Sequence, residues 1–191
     1  VSREALTAIR ADAEAARANL EALIARIDAE LGEGIATAAA SEIDPQLVAD
    51  LKRDEGLRLD AYPDPLTKGP PWTIGYGHTG PDVHRGLTWT LAQAEAALLA
   101  DIARHSAELL AALPWISRLD PARRRVLLNM AFNLGVGEPG GKKGLLGFRN
   151  TLGMIQRGEY AAAADGMLRS LWARQVGQRA VRLANAMRTG R

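Results

Sequence analysis

The chain has 191 residues, enough for one substantial core and an accessory segment, and its 47% apolar and 24% charged content is that of a globular protein. It contains no cysteine, which excludes disulfides, thiolate nucleophiles and thiolate metal sites, and it has no apolar run long enough to span a bilayer. The net charge of +2 conceals an asymmetry: residues 1–50 carry 4 Lys and Arg against 10 Asp and Glu, whereas residues 51–191 carry 20 against 12.

A basic body suits a polyanionic partner such as nucleic acid, anionic lipid or the acidic polymer of a cell wall. Charges scattered over a solvated surface would give the same balance. The first residues lack the basic-then-apolar layout of a secretion signal.

Residues 3–32 read as one long helix free of Gly and Pro. Leu6, Ile9, Ala13, Ala16, Leu20, Leu23 and Ile27 form a heptad seam that fails at Glu30, beside Leu31. Gly32-Glu33-Gly34 stops the helix, and the Ala-rich residues 35–43 read as a linker. The seam over residues 3–31 fits either intramolecular docking on the body or a coiled coil with another chain. The expected organisation is therefore an N-terminal amphipathic helix and linker over 1–43, followed by the main body over 44–191.

Asp44-Pro45 marks a helix start, with Asp as the cap and Pro in the first turn. Leu47, Val48 and Leu51 make its apolar stripe, and Gly56 ends it. Glu55 lies four residues after Leu51, so it extends the buried face, where loss of hydration favours a protonated carboxyl. Residues 57–78 alternate in a β-like manner around a Pro-rich turn, ending in Trp72-Thr73-Ile74-Gly75-Tyr76. Thr90 and Gln93 form a capping box for a helix over 91–112, which Pro114 ends. Asp120-Pro121 starts another helix with Val126, Leu127, Met130 and Ala131 as core. A Gly-rich connection covers 135–147, and three helical stretches are expected over 148–157, 159–170 and 175–188. The fold class is mainly α, with a small β element near the start of the body.

Glu55 and Asp64 are each ordinary alone, one at a helix end and one in a turn. Together they fit glycoside hydrolysis, which needs one carboxyl to protonate the leaving oxygen and another to activate water or attack the sugar. A half-buried Glu suits the acid, and a turn Asp near backbone amides suits the ionised partner. His78 ends a Gly-rich strand. His84 and His105 show no metal-binding spacing, so no metal is expected, nor any other cofactor. Residues 137–143 resemble a phosphate loop but fail its pattern, because Val136 replaces the first Gly and Lys143 stands where Ser or Thr belongs. Arg123, Arg124 and Arg125 point in three directions from one helix and read as a solvated surface. Trp72, Trp115 and Trp172 could stack on sugar rings, but core packing is the default reading for each.

An ordered set of segments carries a stronger signal. These are Asp54-Glu55-Gly56-Leu57-Arg58-Leu59, Tyr62 with Asp64, Trp72-Thr73-Ile74-Gly75-Tyr76-Gly77-His78, and Asn129-Met130-Ala131-Phe132-Asn133-Leu134-Gly135. Gly147-Phe148-Arg149-Asn150, Ser170-Leu171-Trp172 and Arg179-Ala180-Val181-Arg182 follow. In this set the chain resembles the phage-type lysozymes, the endolysin muramidases of glycoside hydrolase family 24, over about residues 46–191.

The resemblance implies a two-lobed lysozyme-like fold with a small sheet lobe, a long connecting helix and a helical C-terminal lobe, with the cleft between the lobes. It implies hydrolysis of the β-1,4 bond between N-acetylmuramic acid and N-acetylglucosamine in peptidoglycan. Glu55 would be the general acid, Asp64 the carboxylate that activates water, and Thr73 a residue that holds that water. Tyr62, Asn133, Ser170, Gln175 and Arg179 would line or adjoin the cleft, and His78 with Asp101 would form a structural ion pair. It implies the bacterial cell wall as the place of action, periplasmic or extracellular, with peptidoglycan rather than nucleic acid as partner. Inversion predicts carboxyl groups roughly 6.5–9.5 Å apart.

Two features depart from the family. Eight residues separate Asp64 from Thr73, three more than the family pattern, so the Pro65–Pro71 loop is expected to bulge at the rim of the cleft. The other is the segment 1–43. A non-catalytic wall-binding body and a transglycosylase are the rival readings. Glu55, Asp64 and Thr73 occurring together argue against both.

Overall fold

The computed structural model describes residues 43–63 and 67–191, so the expected helix over 3–31 and its linker, and Asp64 itself, lie outside the described residues. The described chain is mainly helical with one three-stranded antiparallel sheet. Helix α1 spans Pro45–Glu55. It starts as expected: the Asp44 side chain accepts from the Gln46 amide at 2.8 Å, a cap that contributes about 1 kcal/mol. Gly56 ends it at φ 70°, in the left-handed region that glycine reaches without a Cβ clash.

The sheet follows as β1 (Arg58–Pro63), β2 (Trp72–Gly75) and β3 (His78–Thr79), in that spatial order. Tyr62 stands opposite Thr73, and Thr73 opposite Thr79, so these three side chains share one face. Ile74 stands opposite His78 on the other face. The outer edge of β1 is covered by residues 87–89: the Ala61 amide donates to the Leu87 carbonyl and the Trp89 amide to the Leu59 carbonyl.

Helix α2 spans Leu91–Ala112 and begins with the complete Thr90–Gln93 capping box. A 3-10 turn at Pro114–Arg118 leads to α3 (Pro121–Leu134), and a second at Leu145–Gly147 leads to α4 (Arg149–Gln156) and α5 (Tyr160–Leu168). The last part differs from the sequence reading. The stretch expected over 175–188 is α7 (Gln178–Thr189), and a further short helix, α6 (Leu171–Val176), precedes it. Ser170 starts α6 by accepting the Ala173 amide on its hydroxyl, and Gly177, at φ 54° and ψ −118°, breaks the chain before α7. Apolar periodicity runs through such a break because the two short helices bury their faces in the same core.

Two apolar clusters support two lobes. The smaller gathers Leu47 and Leu51 of α1, Tyr76, and Ala94, Leu98 and Ile102 of α2. The larger joins the C-terminal end of α2 with α3 to α7, including Leu127, Met130, Leu145, Met167, Trp172 and Met187. Leu128 of α3 packs against both. Trp172 is buried and Trp115 partly so against the larger cluster. Among the described residues no helix is long and apolar enough to cross a membrane.

The three arginines of α3 are not a solvated surface. Arg123 donates to the Met187 carbonyl at 2.8 Å and lies 3.7 Å from the centroid of the Tyr160 ring. Arg124 donates to the Leu119 carbonyl, and Arg125 pairs with Asp44 at 2.7 Å. Their divergent directions, inferred correctly from the helix geometry, let each tie α3 to a different neighbour.

His105 of α2 packs its ring edge-on against Phe132. It borders a small cavity lined also by Leu47, Leu51, Ile102 and Leu128. Burial, reinforced by Arg104 and opposed by Glu108, lowers its pKa below 6.5. The folded protein therefore binds this proton more weakly than the unfolded chain does, so its contribution favours the fold fully above about pH 6.5 and is lost as pH falls below that value. The difference in melting temperature between wild type and His105→Gln is expected to depend on pH between about 7 and 5, with the wild type losing more on acidification. Parallel melting curves across that range would contradict this.

Candidate active site

The end of α1 supplies the centre of the site. Glu55 is half-buried, its side chain 19% exposed, and its Oε1 accepts from Arg179 Nη1 at 2.7 Å. The carboxyl is thus ion-paired across 124 residues of sequence, not left on an apolar face as its spacing from Leu51 suggests. Its other oxygen faces the sheet: a Cβ placed on Gly77 would meet Oε2 at 3.7 Å. Gly77 has φ 90°, so the hairpin between β2 and β3 turns beside the carboxyl on a residue with no side chain to fill that space.

Arg179, on α7, is almost wholly buried and spends all three of its nitrogens. Besides the bond to Glu55, Nε donates to Asn129 Oδ1 at 2.8 Å and Nη2 to the Asn129 carbonyl at 3.1 Å. Asn129 is completely buried on α3 and donates from Nδ2 to Asp54 Oδ2 at 3.4 Å. Asp54 is 2% exposed; Arg179 Nε lies 3.5 Å from its Oδ2, Arg53 Nε lies 3.2 Å from its Oδ1, and Arg182 also pairs with Oδ1. Three helices, α1, α3 and α7, meet at this cluster. A charge set this deeply buried persists only when every member is paired.

Glu55 and Arg179 are each expected at or near the cleft, and the structure brings them into contact. Asp54, Asn129 and Arg182 were not singled out, although a signal existed. Asp54 continues the Leu47–Leu51 stripe of α1, and Asn129 interrupts the Val126–Met130 stripe of α3. A polar residue on an apolar stripe marks either a helix end or a buried partner.

The sheet carries the other expected residues. Thr73 sits in β2 and Tyr62 in β1, paired on one face, with Arg58 stacked 4.0 Å from the Tyr62 ring centroid. Asp64 follows β1 directly in sequence and lies outside the described residues, so the carboxyl separation expected from inversion does too. The lengthened loop resumes at Thr67, where the Thr67 hydroxyl donates to the Pro70 carbonyl at 2.9 Å. His78 points away from Thr73: its Nδ1 lies 2.7 Å from Asp101 Oδ2 on α2 and its ring packs on Trp89. The hydroxyl and imidazole that are close in sequence thus stand on opposite faces of the sheet.

Asn133, Ser170 and Gln175 lie in the C-terminal lobe. Asn133 accepts from Trp172 Nε1 at 2.9 Å, and Ser170 caps α6. Gln175 is exposed near the end of α6. Ser170 also borders an open depression of about 580 Å³ with Lys142, Phe148, Arg149, Thr151 and Arg169. Among the described residues no group of His, Asp or Glu stands close enough to hold a metal ion.

The family described as phage lysozyme matches residues 52–188 of this chain. Among curated proteins, the chain is similar to a probable T4-type lysozyme 1 of Dictyostelium discoideum. The two are 29% identical over 165 residues, covering 73% of this chain and 92% of that protein. The match takes in Glu55, Asn129, Arg179 and all three strands.

Replacing Arg179 by Met leaves the Glu55 carboxylate and both Asn129 carbonyls without their donor and removes a cation from beside Asp54. The expected cost is about 3 kcal/mol of folding stability. Urea denaturation of the variant beside wild type measures it, and an unchanged midpoint would show that the cluster does not depend on this guanidinium.

Proposed function

The chain belongs to the phage lysozyme family, a family of glycoside hydrolases that act on the peptidoglycan of the cell wall, and from that premise we propose that it is an inverting N-acetylmuramidase. The bond broken is the β-1,4 link between N-acetylmuramic acid and N-acetylglucosamine. Glu55 gives a proton to the glycosidic oxygen as the C–O bond breaks. Asp64 takes a proton from a water that attacks the anomeric carbon from the opposite face, and Thr73 holds that water. The products are two sugar chains, one with a new reducing end of inverted configuration.

The observation that supports this reading best is the setting of Glu55. One oxygen is engaged by Arg179 and the other is directed to the Gly77 turn, so a single oxygen remains to carry and deliver a proton. Thr73 lies on the same hairpin, in the strand that precedes Gly77. Tyr62 lies beside Thr73 on the adjacent strand, and Asn133, Ser170 and Gln175 are assigned to substrate binding along the second lobe; Arg179, buried and fully engaged, adjoins the cleft by holding Glu55 rather than by touching substrate. The excess of Lys and Arg over residues 51–191 suits an anionic polymer as substrate. The place of action is the periplasm or the cell exterior, where the wall lies.

Glu55→Gln is expected to abolish clearing of purified peptidoglycan, a loss of at least about 10²-fold, with the fold intact by circular dichroism. Undiminished clearing would remove Glu55 from the mechanism. NMR of the fresh product is expected to show the α anomer first; an initial β anomer or a 1,6-anhydro end would replace hydrolysis with inversion by another route.

Residues 44–191 are assigned as the catalytic body and residues 1–43 as an accessory segment that docks on that body or pairs with a second copy. Light scattering of the full chain beside residues 44–191 is expected to give a larger oligomer for the full chain if the heptad seam pairs chains. Equal, monomeric masses would assign the seam to intramolecular docking.

A further inference from the structure

We propose that Asp54 is a positioning residue that acts through Asn129 and Arg179 on the proton-donating carboxyl of Glu55, and this rests on the reading of Glu55 as general acid. Arg179 is the only cation within hydrogen-bonding distance of Glu55 among the described residues. Whatever fixes the charge and position of this guanidinium therefore acts on the Glu55 carboxyl, and Asp54 is placed to act on it in two ways.

The first is electrostatic. Arg179 lies between two adjacent carboxylates, with Nη1 2.7 Å from Glu55 and Nε 3.5 Å from Asp54. The buried Asp54 charge offsets part of the guanidinium charge that Glu55 experiences. The second is geometric. The Asn129 amide donates to Asp54 through Nδ2, so its carbonyl oxygen must face the other way, toward Arg179 Nε. That orientation, with the Asn129 main-chain carbonyl, holds the guanidinium at two points and leaves only Nη1 for Glu55. Without Asp54 the amide is free to flip, and its NH2 would then repel Arg179.

The other charged groups of this region are accounted for among the described residues. Arg182 of α7 and Arg53 of α1 pair with the opposite oxygen of Asp54. Arg125 of α3 is taken by Asp44 and Asp50, and Lys52 by Glu95. The sheet presents the uncharged Gly77 to Glu55, and Asp64, the second carboxylate of the proposed mechanism, lies outside the described residues. Among the described residues the balance at Glu55 is therefore set by Arg179 against Asp54, with Arg182 as a surface modulator of Asp54.

The test is the pH dependence of peptidoglycan hydrolysis together with a 13C NMR titration of the Glu55 carboxyl. In Asp54→Asn, both the basic limb of kcat/KM and the Glu55 titration are expected to move to lower pH by about 0.5–1 unit, with the loss in kcat exceeding any rise in KM. In Arg182→Gln, where the substituted side chain is 41% exposed, both are expected to move to higher pH by a smaller amount. Arg182→Gln also keeps the test decisive if Asp54→Asn does not fold. Glu55 titration midpoints that coincide with wild type in the folded variants would overturn the proposal and leave Asp54 a structural residue only. A Glu55 titration that moves while the activity limb stays still would instead refute Glu55 as the acid, and leave the coupling to Asp54 standing.

Discussion

The structure turns on one buried guanidinium. Arg179 is held by α3 through Asn129 and reaches α1 at Asp54 and Glu55. Elsewhere the lobes are joined by apolar contacts that tolerate small shifts, such as those of Leu128 and Phe132. Here the partners are charged and buried, and misplacing any one leaves another unpaired at a cost of several kcal/mol. The cluster therefore ties the position of Glu55 to the integrity of both lobes. A carboxyl that is to serve as an acid must be held within a fraction of an ångström, and a charge network specifies geometry more sharply than an apolar contact does.

The sheet solves a second problem, which is to place a hydroxyl and an imidazole that are near in sequence into different tasks. The period-two alternation of strands sends Thr73 to the face shared with Tyr62 and Thr79, and His78 to the face shared with Ile74. His78 is then taken by Asp101 of α2 and by the Trp89 ring, which anchors the hairpin to the long helix. The Gly77 turn passes beside Glu55 at φ 90°, a conformation that glycine reaches without strain. Fold stability and site geometry are thus served by opposite faces of three short strands.

Much of this fold was legible in the sequence because the helix boundaries are chemically marked. Asp44-Pro45, Gly56, the Thr90–Gln93 box, Pro114 and Asp120-Pro121 all act where local chemistry says they act. The short helix α6, missing from the sequence reading, has a local cause as well: Gly177 separates it from α7, whose apolar face belongs to the same core, so periodicity alone does not see the break. The arginines of α3 show the other kind of gap. Their directions followed from the helix, but their partners, Met187, Tyr160, Leu119 and Asp44, come from distant parts of the chain.

The sequence by itself determined which residue types were available and in what order. It placed Glu55 at a helix end, Thr73 on a strand and the ordered segments that identify the family, because these depend on local spacing and composition. Only the tertiary structure decided that Glu55 is paired rather than isolated, that Asp54 and Asn129 stand behind it, and that His78 turns away from Thr73. Those facts depend on which helices meet. A salt bridge spanning 124 residues has no local signature, and its geometry exists only once two lobes have packed around it.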